Sequence, residues 1–159
     1  MLRTMIAAGA LVLALALPGA AGAQSLMSDW ARADMRGLLT EAGAKVTDEG
    51  TLDNGNPYFD AESSEGLKFH LYGAASEGEG AAQRCSGAEL STSFALESNE
   101  AVAEKLAALD FAAVAIFKGG DKSLRVTRYL IFDHGIARDN AKLNITVFLD
   151  IAHEIWDGL

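Results

Sequence analysis

The pattern of apolar and polar positions in the second half of the chain predicts two strands and a long helix. Residues 111–117 form an apolar run suited to a β-strand, and residues 118–122 supply the glycines and polar side chains of a hairpin turn. Residues 123–132 return as a second strand, which ends at Asp133-His134-Gly135. A helical pattern then continues nearly to the C-terminus. This pattern indicates a fold, but it does not indicate a reaction.

The first half of the chain predicts one amphipathic helix followed by short strands. Apolar positions at three- and four-residue spacing mark a helix over residues 27–42, with Ser28 or Asp29 as its cap and Gly43 at its end. Strands are predicted at 44–49, 58–62, 67–72 and 88–96, a turn at 53–56, a solvated loop at 73–87 and a short helix at 98–109. We therefore predict an α+β domain of order α-β-β-β-β-α-β-β-α, in which helices back an antiparallel sheet of five to six strands.

The last helix is more apolar than a surface helix needs to be. Its polar side chains are confined to one narrow stripe. A helix on the surface of a domain needs an apolar stripe of only about 100° of its circumference to pack on the core. Either the helix is embedded in its own core, or its outer side meets a second chain. The second alternative predicts a homodimer or partner surface, formed by Ile145, Phe148, Leu149, Ile155 and Trp156.

Residues 1–23 have the layout of a secretory signal peptide. Arg3 gives a positive start, Leu11–Leu17 is strongly apolar, and Ala21–Ala23 offers small residues for cleavage. We therefore expect cleavage near Ala23 and a single mature domain, residues 24–159, that is periplasmic or secreted. An uncleaved membrane anchor is the alternative, although the Pro, Gly and Ala of the second half support a helix poorly.

The charge and the cysteine content narrow the classes of partner. Loss of the leader lowers Lys and Arg from 13 to 12 against 22 Asp and Glu, so the net charge changes from −9 to −10. Such an acidic surface repels nucleic acid and anionic lipid. Cys85 is the one cysteine, so no internal disulfide can form. Three interpretations of Cys85 are open: a nucleophile, a site of intermolecular pairing, or a small structural residue. We favour the last.

No motif in the sequence gathers catalytic residues. His153-Glu154 with Asp157 resembles the helical zinc motif H-E-x-x-H, but the second histidine is missing, and a solvated helix end is the better interpretation. Asp133-His134 belongs to a turn, and His70 faces outward from a strand beside Lys68. A Ser-His-Asp motif, a nucleophile elbow and a dinucleotide fingerprint are all absent from the sequence. We therefore predict no catalytic residue, no metal and no cofactor.

One charged residue falls on an apolar strand face. Arg128 shares its side of the strand with Val126, Leu130 and Phe132. A cation in that position either pairs with a carboxylate at the margin of the sheet or lines a groove, and the sequence leaves both alternatives open.

The order of these elements resembles the YbjN-like domain family, also described as bacterial sensory-transduction regulators. The resemblance covers the mature chain, and the residues that carry it are Leu38-Leu39, Ala42-Gly43, Asn54–Pro57, Gly66–Phe69, Leu71–Gly73, Cys85, the strands at Leu90–Phe94 and Phe111, Asp133–Ile136, Asn140 and Trp156. The chain departs from the family at Ala137, where a Ser or Thr is usual before the final helix. The resemblance implies a fold like that of type III secretion chaperones, possible dimerisation and binding of protein segments.

Three functions follow as hypotheses. The first is an exported, non-enzymatic protein-binding or chaperone-like regulatory module, with the chain itself or an exported protein as the partner. The second is a small-molecule or lipid-binding domain that uses a sheet face bearing Phe59, Phe69 and Phe94. The third is a small hydrolase that uses Cys85 or acidic residues. The lack of convergent catalytic residues and the apolar last helix favour the first hypothesis.

Overall fold

A computed structural model describes residues 26–95, 114–118 and 123–159 of the chain. Its elements are β1 (Leu26–Met27), α1 (Arg32–Glu41), β2 (Ala44–Thr51), β3 (Pro57–Ser63), β4 (Lys68–Glu77), a 3-10 turn (Gly80–Ala82), β5 (Arg84–Ala95), β6 (Val114–Lys118), β7 (Ser123–Ile131), β8 (Ile136–Ala137) and α2 (Arg138–Asp157). The predicted α+β class is confirmed. The predicted leader at 1–23 and the predicted helix at 98–109 lie outside the described residues.

One antiparallel sheet organises the molecule. Its six strands lie in the order β2-β3-β4-β5-β7-β6, and every neighbouring pair is antiparallel. The strand number agrees with the predicted five to six. A second, two-stranded sheet joins β1 to β8, so the start of the described chain is held beside the start of α2.

The predicted solvated loop at 73–87 is wrong. β4 continues to Glu77 and β5 begins at Arg84, so that Ser76 pairs with Cys85 and Glu77 pairs with Arg84. The small and polar side chains of this stretch are poor strand formers in isolation. The neighbouring strand supplies partners for their backbone groups, and this pairing outweighs the weak intrinsic propensity.

The first helix begins later than its apolar spacing predicts. Met27 belongs to β1, and Trp30 bridges to Cys85 through two backbone hydrogen bonds. Ala31 is the N-cap, and its amide donates to Oδ2 of Asp34 at 2.9 Å. The predicted caps Ser28 and Asp29 are therefore wrong, because sheet pairing holds this stretch extended.

The core lies between one face of the large sheet and the two helices. Side chains alternate along β4 as predicted: Phe69 and Leu71 are buried, whereas Lys68 and His70 are exposed. The Phe69 ring contacts that of Phe148 on α2, with centroids 5.8 Å apart. Fully buried side chains of the same core include Trp30, Met35, Leu38, Leu39, Phe59, Leu90, Leu124, Val126, Phe132 and Ile145.

Truncation of Phe148 tests how much this packing stabilises the fold. We expect Phe148→Ala to lower the free energy of unfolding by about 3–5 kcal/mol, because a fully buried aromatic ring is replaced by a cavity. Leu143→Ala on the exposed side of the same helix is the matched control and should change stability by less than about 0.5 kcal/mol. Urea unfolding followed by circular dichroism measures both. Equal losses in the two variants would contradict the assignment of Phe148 to the core.

Candidate functional site

The apolar side of the last helix is a core surface rather than a partner surface. Ile145 and Phe148 are fully buried, Ile155 is 1% exposed and Leu149 is 6% exposed. The predicted partner surface is therefore wrong for these four residues, because the chain's own sheet covers them. Trp156 alone of the predicted set is exposed, at 43%. The excess apolar surface of the helix reflects burial on the sheet and requires no second chain.

The aromatic face suggested for a lipid or small molecule is also filled. Phe59, Phe69 and Phe94 all point into the core and are at most 9% exposed. Trp30 and Phe148 occupy the space beside two of these rings. The helices that cover this face leave it unavailable to a ligand, so the expectation of a binding surface there is wrong.

The opposite face of the large sheet is uncovered by either described helix, and we call it the open face. It carries the outward-pointing side chains of β3, β4, β5 and β7, which follow from the alternation along each strand and the pairing between strands. Its main side chains are Tyr58, Asp60, His70, Tyr72, Glu89, Ser91, Arg125, Thr127, Tyr129 and Ile131.

Cross-strand polar contacts hold several of these side chains in place. His70 Nδ1 lies 2.7 Å from Oδ1 of Asp60, and the His70 ring stacks on Tyr72 with centroids 5.8 Å apart. Arg125 donates to Glu89 at 2.9 Å and to Ser91 at 2.8 Å. A surface whose side chains are already oriented loses less conformational entropy when a partner binds.

Two tyrosines of the open face lie across glycines of neighbouring strands. A Cβ at Gly50 would stand 2.6 Å from the Tyr58 ring, and one at Gly87 would collide with the hydroxyl of Tyr129. The Tyr58 hydroxyl donates to Asp48 at 2.9 Å, and this hydrogen bond raises the pKa of Tyr58. Glycine at these two positions therefore lets aromatic rings lie flat on the sheet.

The open face ends in a small exposed apolar patch on β7. Tyr129 is 53% exposed and Ile131, two residues further on, is 64% exposed. Both point away from the helices, since Leu130 between them is buried in the core. Large apolar side chains next to oriented polar groups are typical of surfaces that bind other proteins.

The open face also aligns a serine, a histidine and an aspartate that are far apart in sequence. Asp60 pairs with His70, and His70 pairs with Ser91, in one row across β3, β4 and β5. Ser91 Oγ, however, accepts a hydrogen bond from Arg125, and His70 makes its hydrogen bond through Nδ1 to Asp60. The row therefore orders the surface, and its serine is not joined to the histidine as a nucleophile requires.

A second polar cluster joins α2 to the turn between β3 and β4. His153 Nε2 lies 2.9 Å from Ser63 Oγ, and His153 Nδ1 lies 3.2 Å from a carboxylate oxygen of Glu65. The His153 side chain is only 15% exposed, so the interpretation of a solvated helix end is wrong. No sequence motif predicts this cluster, because 90 residues separate Ser63 from His153.

Arg128 lies on the inner face of β7, as its spacing predicts, and its partner is an amide. Its Nε donates to Oδ1 of Asn144 at 3.1 Å, and its Nη2 donates to the same oxygen. Nη1 is buried and has no hydrogen-bond partner in the described part of the chain. Burial lowers the pKa of Arg128. The partner of Arg128 is therefore Asn144 and not a carboxylate at the margin of the sheet.

The other candidate residues occupy structural positions. Cys85 is 1% exposed at the start of β5, with its Sγ 3.1 Å from the hydroxyl of Ser76. Burial raises the pKa of the Cys85 thiol, and this effect exceeds the opposite influences of Ser76 and Arg32. His134 is exposed in a turn at a φ of +64°, in keeping with its predicted turn position.

The main clefts in the described part of the chain are open to solvent, and their linings mix polar and apolar groups. One of about 380 Å³ lies between the β2–β3 turn and the β4–β5 connection, and Gln83 spans it by donating to the Gly55 carbonyl at 2.7 Å. Within residues 26–95, 114–118 and 123–159, no three His, Cys, Asp or Glu side chains are grouped to hold a metal ion. No helix in these ranges is long and apolar enough to cross a membrane.

Comparison with known proteins finds no family model, no curated protein and no solved structure that matches this chain.

The environment of Cys85 leads to a prediction about its reactivity. We expect iodoacetamide to modify Cys85 in the folded protein at least about tenfold more slowly than in the guanidinium-unfolded chain at pH 8, because burial blocks access and the raised pKa lowers the thiolate fraction. Intact-mass spectrometry over time measures both rates. Equal rates would show an accessible thiol and would revive the interpretations of a nucleophile or of intermolecular pairing.

Proposed function

We propose that this chain is an exported protein-binding module, with a chaperone-like or regulatory role, and that it binds its partner through the open face. The observation that carries the proposal is the exposed pair Tyr129 and Ile131 on a sheet face that neither described helix covers. Export is proposed from the signal-peptide layout of residues 1–23. The family resemblance in the sequence supports a role in binding protein segments.

The composition of the open face supports a protein partner over a small molecule. Tyrosine and arginine are enriched at protein interfaces, where a ring or a guanidinium gives a large contact with few rotatable bonds. Tyr58, Tyr72 and Tyr129 stand on this face together with Arg125. The face is a broad sheet surface, whereas small ligands are usually enclosed in a concave pocket.

Charge narrows the kind of partner. The mature chain carries a proposed net charge of −10, since Lys and Arg fall from 13 to 12 against 22 acids, so long-range attraction favours a protein with a basic surface. On the open face itself, Glu89 and Asp60 already pair with Arg125 and His70. We therefore propose a basic protein whose central contact with Ile131 and Tyr129 is apolar.

The test uses two exposed apolar residues on opposite sides of the molecule. Ile131 and Leu143 are 64% and 57% exposed, the first on the open face and the second on α2. We expect Ile131→Asp to remove the partner that tagged wild-type protein captures by in-cell crosslinking in the exported fraction. Leu143→Asp should leave capture unchanged, because α2 takes no part in the contact.

Binding with purified components then checks the class of partner. We expect the captured protein to bind wild type directly, more weakly at high salt, and at least about tenfold more weakly when Ile131 is Asp, since loss of one central contact costs about 1–2 kcal/mol or more. Capture that survives Ile131→Asp but is lost with Leu143→Asp would overturn the assignment of the surface. Crosslinks only between copies of the chain would overturn the proposal of a separate partner.

A further inference from the structure

A serine, a histidine and a glutamate meet where α2 crosses the β3–β4 turn, on a part of the molecule that the proposed binding function does not use. Ser63 ends β3, Glu65 lies in the turn and His153 projects from the last helix. The hydroxyl of Ser63 contacts one ring nitrogen of His153, and Glu65 contacts the other. This is the connectivity by which a base activates a serine and a carboxylate orients that base.

The hydrogen-bonding capacities of the three groups determine where the protons lie. A carboxylate only accepts, so a neutral His153 is expected to carry its proton on Nδ1, which lies 3.2 Å from the largely exposed carboxylate of Glu65, and Nε2 is then left as an acceptor. Ser63 Oγ accepts from the amides of Leu67 and Glu65 at 3.1 and 3.3 Å. With both lone pairs engaged, the remaining hydroxyl proton is directed to Nε2.

The site is partly enclosed and adjoins a small cleft. The Ser63 residue is 9% exposed, and the ring of Trp156 packs against that of His153 with centroids 5.7 Å apart. Ser63 also stands in the wall of a cleft of about 250 Å³, shared with Gly43, Lys45, Glu62 and Ser64. The cleft is large enough for a short acyl group.

We propose that Ser63, His153 and Glu65 form a hydrolytic site for short-chain carboxylic esters. Ser63 Oγ attacks the ester carbonyl carbon while His153 Nε2 takes its proton, and one amide contact, the longer one from Glu65, gives way to free the attacking lone pair. The tetrahedral intermediate expels the alcohol, which takes the proton from Nε2. Water then attacks the acyl-serine through the same base, which releases the carboxylic acid and restores the Ser63 hydroxyl.

Each residue has a distinct role. Ser63 is the nucleophile and His153 is the base and acid. Glu65 is a positioning residue that acts through His153. This activity departs from the expectation of a non-enzymatic protein, and it stands independently of the open face, so failure of either proposal leaves the other intact.

The first experiment is covalent labelling of the purified protein with a fluorophosphonate probe, followed by peptide mass spectrometry. We expect the adduct on Ser63. Ser93→Ala, which changes an exposed serine of β5 away from the cleft, should label like wild type. His153→Gln should lower the labelling rate about 100-fold, as loss of a general base does, while His70→Gln, which removes the histidine of the open face, should not. An adduct on another residue, or none on Ser63 at excess probe, overturns the proposal.

Hydrolysis of p-nitrophenyl butyrate gives the second readout. We expect turnover that Ser63→Ala abolishes and that Glu65→Gln lowers mainly in kcat, with partial recovery in Glu65→Asp because the carboxylate is retained. A purely structural contact between the turn and α2 predicts a different result: lower thermal stability in these variants, with no ester turnover above that of buffer in the wild type. That result would overturn the proposal.

Discussion

The packing of α2 against the inner face of the large sheet is the contact on which the other features of the molecule depend. Phe148 sits against Phe69 at the centre of this interface, and Arg128 reaches from the sheet to Asn144 of the same helix. This packing buries the apolar side of α2 and covers the aromatic face of the sheet. It thereby leaves the opposite sheet face as the broad surface that neither described helix covers, and it brings His153 to the β3–β4 turn.

The two faces of the sheet therefore have different physical tasks. The inner face is apolar and contributes stability through burial, since apolar area removed from water is the main favourable term in folding. The open face carries polar and aromatic side chains that are held by neighbours across the strands, such as His70 by Asp60 and Arg125 by Glu89. The core does not depend on these outward side chains. The proposed function therefore assigns them to the contact with a partner.

Ionic and polar contacts between distant segments complete the arrangement. Arg138 of α2 donates to Glu41 of α1 at 2.7 Å, and this hydrogen bond lowers the pKa of Glu41. At the other end of α2, His153 contacts Ser63 at the β3–β4 turn. Both ends of the helix are thus joined to other elements, and the second of these junctions has the proton arrangement on which the proposed ester chemistry is based.

The sequence by itself determined the α+β class, the alternation of Phe69 and His70 across β4, and the turn at His134, because these depend on side-chain period and local turn chemistry. Tertiary structure decided the rest. Whether Phe148 met a second chain or its own sheet could not follow from helical spacing, which is the same in both cases. The strands through 73–87 needed a partner strand to form, and the meeting of Ser63 with His153 arose only when α2 packed across the sheet, since no local rule links residues so distant in the chain.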